Sequence, residues 1–185
     1  MRLGYELGYI SNPTKPSDLR RPDHSPSKPL SDLERLYIRT FGIPDTVKQQ
    51  QARAVFPIIS KLSFSSVLDI GCAQGHYSIR IARKYPNVRV KGIDINDEKL
   101  DQAQRLKEMF GLKNLTFEKM DLCNNPLAEK YDLVLLLQVI EHLSDDRATL
   151  KKIREVMSDD ACLIITGPNS QSPLISWSKR YVDVE

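Results

Sequence analysis

The chain has 185 residues, 41% of them hydrophobic and 28% charged, with a formal net charge of +3. This is room for one domain of ordinary size plus an extension, with the composition of a soluble globular protein. No apolar run approaches the roughly 20 residues that cross a bilayer, and Met1–Glu6 holds no apolar signal core, so no membrane span and a cytoplasmic location are expected. Cys72, Cys123 and Cys162 are widely spaced without a metal-ligand pattern. Reduced thiols are expected, with neither disulfide nor metal site. Residues 1–61 carry 10 Lys/Arg against 6 Asp/Glu, and the remainder 17 against 18. The body is thus nearly neutral and lacks the basic stripe of a nucleic-acid binder, so nucleic acid is not the expected partner.

Residues 1–30 hold Pro13, Pro16, Pro22, Pro26 and Pro29 among polar residues. A continuous helix is impossible there and little can be buried, so a flexible arm is expected. Helices are expected over 31–62. Ser31-Asp32-Leu33-Glu34 has capping-box spacing, and Gly42 and Pro44 stop the first helix. A second should run from Asp45 to Leu62, with Val47, Ala54, Val55, Ile58 and Ile59 inward and a kink or break at Pro57.

From Ser65 strands and helices alternate: strand Ser66–Ile70, helix Tyr77–Tyr85, strand Arg89–Ile93, helix Asp97–Phe110 ended by Gly111. Strand Leu115–Lys119, strand Leu133–Leu137, helix Arg147–Met157 and strand Ala161–Thr166 follow. Strand Leu133–Leu137 is almost wholly apolar, as a central strand covered on both faces should be. Alternating βα units predict an α/β fold with a doubly wound, mostly parallel sheet. Such sheets bind ligands at the carboxyl ends of their strands. Residues 63–170 form the expected core, and 171–185 a C-terminal segment too short for a closing hairpin. A chain truncated after strand five is therefore expected. Strand five would then be an open edge able to pair with a second copy as a homodimer.

The chemistry concentrates in Asp69-Ile70-Gly71-Cys72-Ala73-Gln74-Gly75. An acid closes a buried strand, and a glycine turn leads into a helix whose first N–H groups point back at the turn. The dinucleotide spacing fails, because Ala73 and His76 stand where its second and third glycines belong. No Gly-Lys-Ser/Thr follows for a Walker loop. Asp69 would repel a pyrophosphate but suits an ammonium group. Asp94 ends the second strand, at the distance expected of a carboxylate that binds ribose hydroxyls, and Asp121 lies just past the third. Three acids at adjacent strand ends ask for an adenosine-like, positively charged ligand.

These motifs resemble the class I S-adenosylmethionine-dependent methyltransferases, a Rossmann-like fold. The resemblance rests on Val67–Ser78, Gly92–Asn96, Met120–Leu122 and Asp132–Leu143, over about residues 50–170. It implies S-adenosylmethionine as cofactor. The backbone of Gly71, Cys72, Ala73 and Gly75 would wrap the methionine part, and Asp69 would orient the turn or meet the ammonium group. Asp94 would take the ribose hydroxyls, with Ile95 against adenine, Asp121 and Leu122 at the adenine edge and Gln138 below the sulfonium. Glu141 and His142, in the Glu-His-Leu that follows strand four, are either general-base candidates or mere caps of the next turn. A small-molecule or lipid-like methyl acceptor is implied. A protein or RNA methyltransferase and a catalytically incomplete cofactor-binding domain are the alternatives. Ala73 departs from the family's usual glycine. At a positive φ its methyl group would cost roughly 1 kcal/mol. The remaining side chains have simpler expectations: Cys72 packed, His76 facing solvent, and Asp145-Asp146 capping a helix.

Overall fold

In a computed structural model the described residues are 46–122, 124–125 and 127–168. The expected arm, the helix begun at Ser31 and the segment 171–185 lie outside them. Helix α1 (Thr46–Ile59) leads into strand β1 (Ser66–Ile70), helix α2 (His76–Lys84) and strand β2 (Arg89–Asp94). Helix α3 (Asp97–Phe110), β3 (Leu115–Lys119), β4 (Tyr131–Leu137), a 3-10 turn (Ile140–His142), α4 (Asp146–Glu155) and β5 (Met157–Thr166) complete the order. The five strands form one sheet in the order β3-β2-β1-β4-β5, and every neighbouring pair is parallel. This is the doubly wound α/β architecture expected, with strand order reversing at β1 and β4.

Apolar side chains fill both faces of the sheet. On one face Val67, Val90, Leu115, Leu133 and Leu135 pack with α1, α2 and α3. On the other, Leu68, Ile70, Ile93, Val134 and Leu136 pack with Ile153 of α4. Central strands β1 and β4 are consequently near-continuous apolar runs, buried on both sides. Caps set the helix limits. Asn96 accepts from the Lys99 amide at 3.0 Å and Asp145 from the Ala148 amide at 2.9 Å, so Asp145 is the cap and Asp146 the first helical residue. Gly111 closes α3, as expected.

Several boundaries and faces correct the sequence reading. Helix α1 continues unbroken through Pro57, and among its described side chains, from Gln51 on, the buried face is Ala52, Val55, Phe56 and Ile59, with the side chain of Val47 outside those described. Ala54 and Ile58 point outward, because the i, i+3, i+4, i+7 phase that meets the sheet starts at Ala52 rather than Ala54. Strand β5 begins at Met157, not Ala161. Tyr131 pairs with Met157 but Leu133 with Cys162, so the acidic stretch around Asp159-Asp160 forms an irregularity inside the strand rather than a loop before it. Strand β4 likewise begins at Tyr131.

At the amino end of the sheet Asp132 ties three strands together. Its Oδ2 accepts from the Ser65 hydroxyl at 2.7 Å, the Ser65 amide at 2.8 Å and the Ser66 amide at 3.1 Å, while Oδ1 accepts from the Ser158 hydroxyl at 3.1 Å. These donors, the Ser65 hydroxyl foremost, hold the Asp132 carboxyl at a pKa of about 2. Close by, burial above all pushes the Tyr131 hydroxyl up to about 12, and the Glu129 carboxylate adds to the rise. This network fixes β1 against β4, and so determines where their opposite ends, the carboxyl ends, come to lie.

Candidate functional site

Four turns meet at the carboxyl ends of β1, β2, β3 and β4. The β1 turn is held from below. The Gly71 and Cys72 amides both donate to the Ile93 carbonyl of β2, at 2.8 and 2.9 Å. The Gly75 amide donates to the Cys72 carbonyl at 2.9 Å, curling the turn into α2. Gly71 and Gly75 stand at φ +69° and +74°, where only glycine is comfortable. Each is also crowded, because a Cβ on Gly71 would overlap the Val139 side chain and one on Gly75 the Phe117 ring.

Ala73 occupies the left-handed region at φ +48°, so the conditional cost raised by the sequence applies. Its conformation has a visible restraint. The Ala73 amide donates to Asp94 Oδ2 at 2.8 Å, while Asp94 Oδ1 accepts from the Asn96 amide at 2.9 Å. Asp94 thus clamps the β1 turn to the β2 turn. Each of its oxygens still has acceptor capacity, since a carboxylate offers about four lone-pair sites. Beside it Ile95 is 69% exposed, an apolar side chain turned to solvent at the site's rim.

Asp69 is 2% exposed and lies beneath the turn, with Oδ2 accepting from the buried Ser78 hydroxyl at 2.5 Å. This bond ties the carboxyl end of β1 to α2. Cys72 is packed as expected, with its sulfur near Gly92. His76, expected to face solvent, is 8% exposed and meets the Tyr77 ring edge-on. The tight turn at Gly75 rotates the first residue of α2 inward.

Past β3, the Met120 amide bonds to the Asp94 carbonyl at 2.9 Å, which keeps the following chain beside the β2 turn. Asp121 is half-buried there and accepts from the Asn124 side-chain amide at 2.6 Å. The Leu122 side chain is 5% exposed and packs into the core. Its side chain therefore faces the core beneath the turn rather than solvent.

The β4 end is unusual. Gln138 is the second non-glycine residue with positive φ among those described, at +57°. Its amide donates to the Thr166 carbonyl at 2.9 Å, and its side-chain Nε2 to the Thr166 hydroxyl at 3.2 Å. Val139 follows, seated against Gly71. The 3-10 turn then carries Glu141 and His142, both exposed, and the His142 amide bonds to the Val139 carbonyl at 2.9 Å. Neither side chain has a hydrogen-bond partner among the described residues. Thr166 and Val139 escaped the sequence reading because neither residue type signals a positioning role.

The donor set fits an adenosyl cofactor. The glycine turn after β1, a carboxylate with spare acceptor sites and an exposed apolar side chain lie together at the carboxyl ends of β1 and β2, beside the point where strand order reverses. Among the described residues no group of His, Cys, Asp and Glu could hold a metal ion, and no helix is long and apolar enough to cross a membrane.

Compared with known proteins, residues 62–183 match a family described as "Methyltransferase domain". A probable (S)-tetrahydroprotoberberine N-methyltransferase 2 of Papaver bracteatum is 31% identical over 100 residues, 54% of this chain and 28% of that protein. Ajmaline N-methyltransferase of Rauvolfia serpentina is 32% identical over 114 residues, 60% of this chain and 39% of that protein. The chain thus spans well under half the length of either. Among solved structures, coclaurine N-methyltransferase bound to N-methylheliamine and SAH superposes with a TM-score of 0.58 at 26% identity, over 63% of this chain and 35% of that one. By this match over residues 62–183 the chain belongs to the methyltransferase-domain family, as a class I core that holds S-adenosylmethionine.

Proposed function

We propose that the chain is the cofactor-holding part of an enzyme that methylates a small-molecule amine. The observation that carries this reading is the convergence of the Gly71–Gly75 turn, Asp94 and Gln138 at the ends of three adjacent strands. The amine preference is supported by the relatives, whose names describe N-methyltransferases. S-adenosylmethionine, when bound, supplies a methyl group already activated on a sulfonium, so the protein's tasks are positioning, water exclusion and proton handling. Positioning of this kind supplies roughly 7–11 kcal/mol of a barrier.

Each residue has a task on that reading. The spare acceptor sites of Asp94 take the two ribose hydroxyls, and Ile95 covers one adenine face. Main chain around Gly71 and Cys72 lines the methionine part, with Asp69 bracing the turn through Ser78. Asp121 and the Leu122 backbone address the adenine edge. Gln138 presents its surroundings to the methyl-bearing end. An amine acceptor must shed a proton to expose or restore its lone pair. His142 and Glu141, exposed just past β4 and without a hydrogen-bond partner among the described residues, would accept it. Base assistance of this type contributes about 10²–10⁴-fold.

Calorimetric titration of the chain with S-adenosylhomocysteine tests the reading. Micromolar, one-to-one binding is the expected result. An absence of heat at millimolar ligand, on protein shown to be folded, overturns it.

A further inference from the structure

Two of the described residues other than glycine adopt a left-handed conformation, Ala73 and Gln138, and they stand at the ends of neighbouring strands β1 and β4. Ala73 has its restraint in Asp94, on β2. Gln138 has its own in Thr166, on β5, through both a backbone and a side-chain bond. Each turn is thus held from the strand flanking it on the outside. Where they face each other, the held turns interlock. Val139 follows Gln138 and fills the space that a Cβ on Gly71 would need. Gly71 is a socket and Val139 the knob seated in it.

We propose that Thr166 is a positioning residue: by clasping Gln138 it seats Val139 in the Gly71 socket and sets the gap between the cofactor turn and the Glu141–His142 turn. The physical reasoning starts from Gln138. A side chain with Cβ resists φ near +57° and returns to the extended or helical region unless its surroundings over-determine it. The Thr166 carbonyl alone does not over-determine it, since a ladder bond of that kind tolerates either conformation. The hydroxyl adds a second point of attachment at 3.2 Å and fixes the side chain as well as the amide. Release of that point lets φ relax, and Val139, the next residue, swings away from Gly71. The 3-10 turn follows, because the His142 amide hangs from the Val139 carbonyl. The acceptor-side groups then lose their fixed distance from the cofactor turn. Gly167, the residue after Thr166, lies close under the 3-10 turn, since a Cβ there would lie 3.3 Å from Ile140 Cγ2.

The role in catalysis rests on the methyl-transfer reading, whereas the clasp itself is a property of the free chain. The experiment separates them. Thr166→Val removes the hydroxyl and keeps shape and carbonyl, Thr166→Ser restores the hydroxyl, and Val139→Ala removes the knob. Amide hydrogen exchange is followed on the unliganded chain, and S-adenosylhomocysteine affinity by calorimetry. Thr166→Val and Val139→Ala should exchange about tenfold faster at Val139–Leu143 and at Gly71–Gly75, with core strands unchanged. Both should bind S-adenosylhomocysteine about three- to tenfold more weakly, a change of roughly 0.7–1.4 kcal/mol. Thr166→Ser should match the wild type in both. Wild-type exchange in folded Thr166→Val refutes the clasp, and so does faster exchange everywhere in the sheet, the mark of a merely structural loss. Should Thr166→Val fail to fold, Val139→Ala decides: fast exchange confined to the two turns supports the interlock, and unchanged exchange refutes it. Wild-type protein that binds no S-adenosylhomocysteine defeats the functional reading, while the exchange comparison still decides the clasp.

Discussion

Asp94 clamps two turns and, on the proposed reading, also binds ribose, and substitution separates the two roles by magnitude. Its carboxylate accepts the Ala73 amide at 2.8 Å and the Asn96 amide at 2.9 Å before any ligand arrives. Asp94→Ala leaves both amides without that acceptor. Bonds to a charged group contribute about 1.5–3 kcal/mol each, and water reaching this half-exposed rim recovers part of it, so a net loss of about 1–3 kcal/mol is expected. Asp94→Asn keeps one carbonyl oxygen and should lose about half as much. For a domain of this size each kcal/mol moves the midpoint by about 4 °C, so thermal melts should fall by about 4–12 °C for alanine and about 2–6 °C for asparagine. Binding should fall further than stability. Loss of both ribose contacts should weaken S-adenosylhomocysteine by at least about 100-fold, roughly 2.7 kcal/mol, when titrated at a temperature where the variants remain folded. Unchanged affinity in folded Asp94→Ala would refute the ribose role and leave only the clamp. An unchanged melting midpoint would refute the clamp.

Ala73→Gly should raise the unliganded melting midpoint by about 2 °C: relief of the methyl group at φ +48° returns roughly 1 kcal/mol, and the looser unfolded chain takes back about half. A lower midpoint would show that the turn carries no strain. Asp132 predicts an acid transition. Its folded pKa is depressed from 3.8 to about 2, so its contribution is complete above pH 4 and vanishes as pH falls through 2. With about 1.4 kcal/mol per pKa unit, on the order of 2 kcal/mol should be lost across that window in urea titrations. Asp132→Asn should be less stable at neutral pH and flatter between pH 4 and 2, and a wild-type curve that is flat there would refute the assignment.

The frame of the molecule was legible where one physical signal dominated. Ser66–Ile70, Asp97–Phe110 and Leu115–Lys119 match the sequence reading residue for residue, because an apolar run, an Asn cap with a Gly stop, and a tight alternation each leave little choice. Helix α1 misled because two faces carry similar apolar content, and the choice between Ala52 and Ala54 belongs to the sheet beneath it. The start of β5 misled because Asp159-Asp160 reads as a turn, while the structure absorbs it as an irregularity paired to β4. In the site, residue types announced Asp94 and the glycines. Nothing announced the left-handed Gln138, since glutamine is not a residue chosen for positive φ. Its conformation is imposed by Thr166, 28 positions away, and such a constraint exists only once β4 and β5 have met.

The bond from the Ser65 hydroxyl to Asp132 spans 67 positions of chain. Everything between them, β2 and β3 included, belongs to an excursion that must return before β4 can lie beside β1. Loop closure over that span is entropically slow to reward, so β1, β2 and β3 are expected to assemble first and the β1–β4 seam last. The Gly71 and Gln138 turns stand at the carboxyl end of that seam. A ligand seated there grips a contact formed after the folding barrier. S-adenosylhomocysteine should accordingly slow unfolding in stopped-flow measurements and leave the refolding rate unchanged, and faster refolding with ligand would place the seam before the barrier. On that order of events, the cofactor locks a chain that has already found its shape.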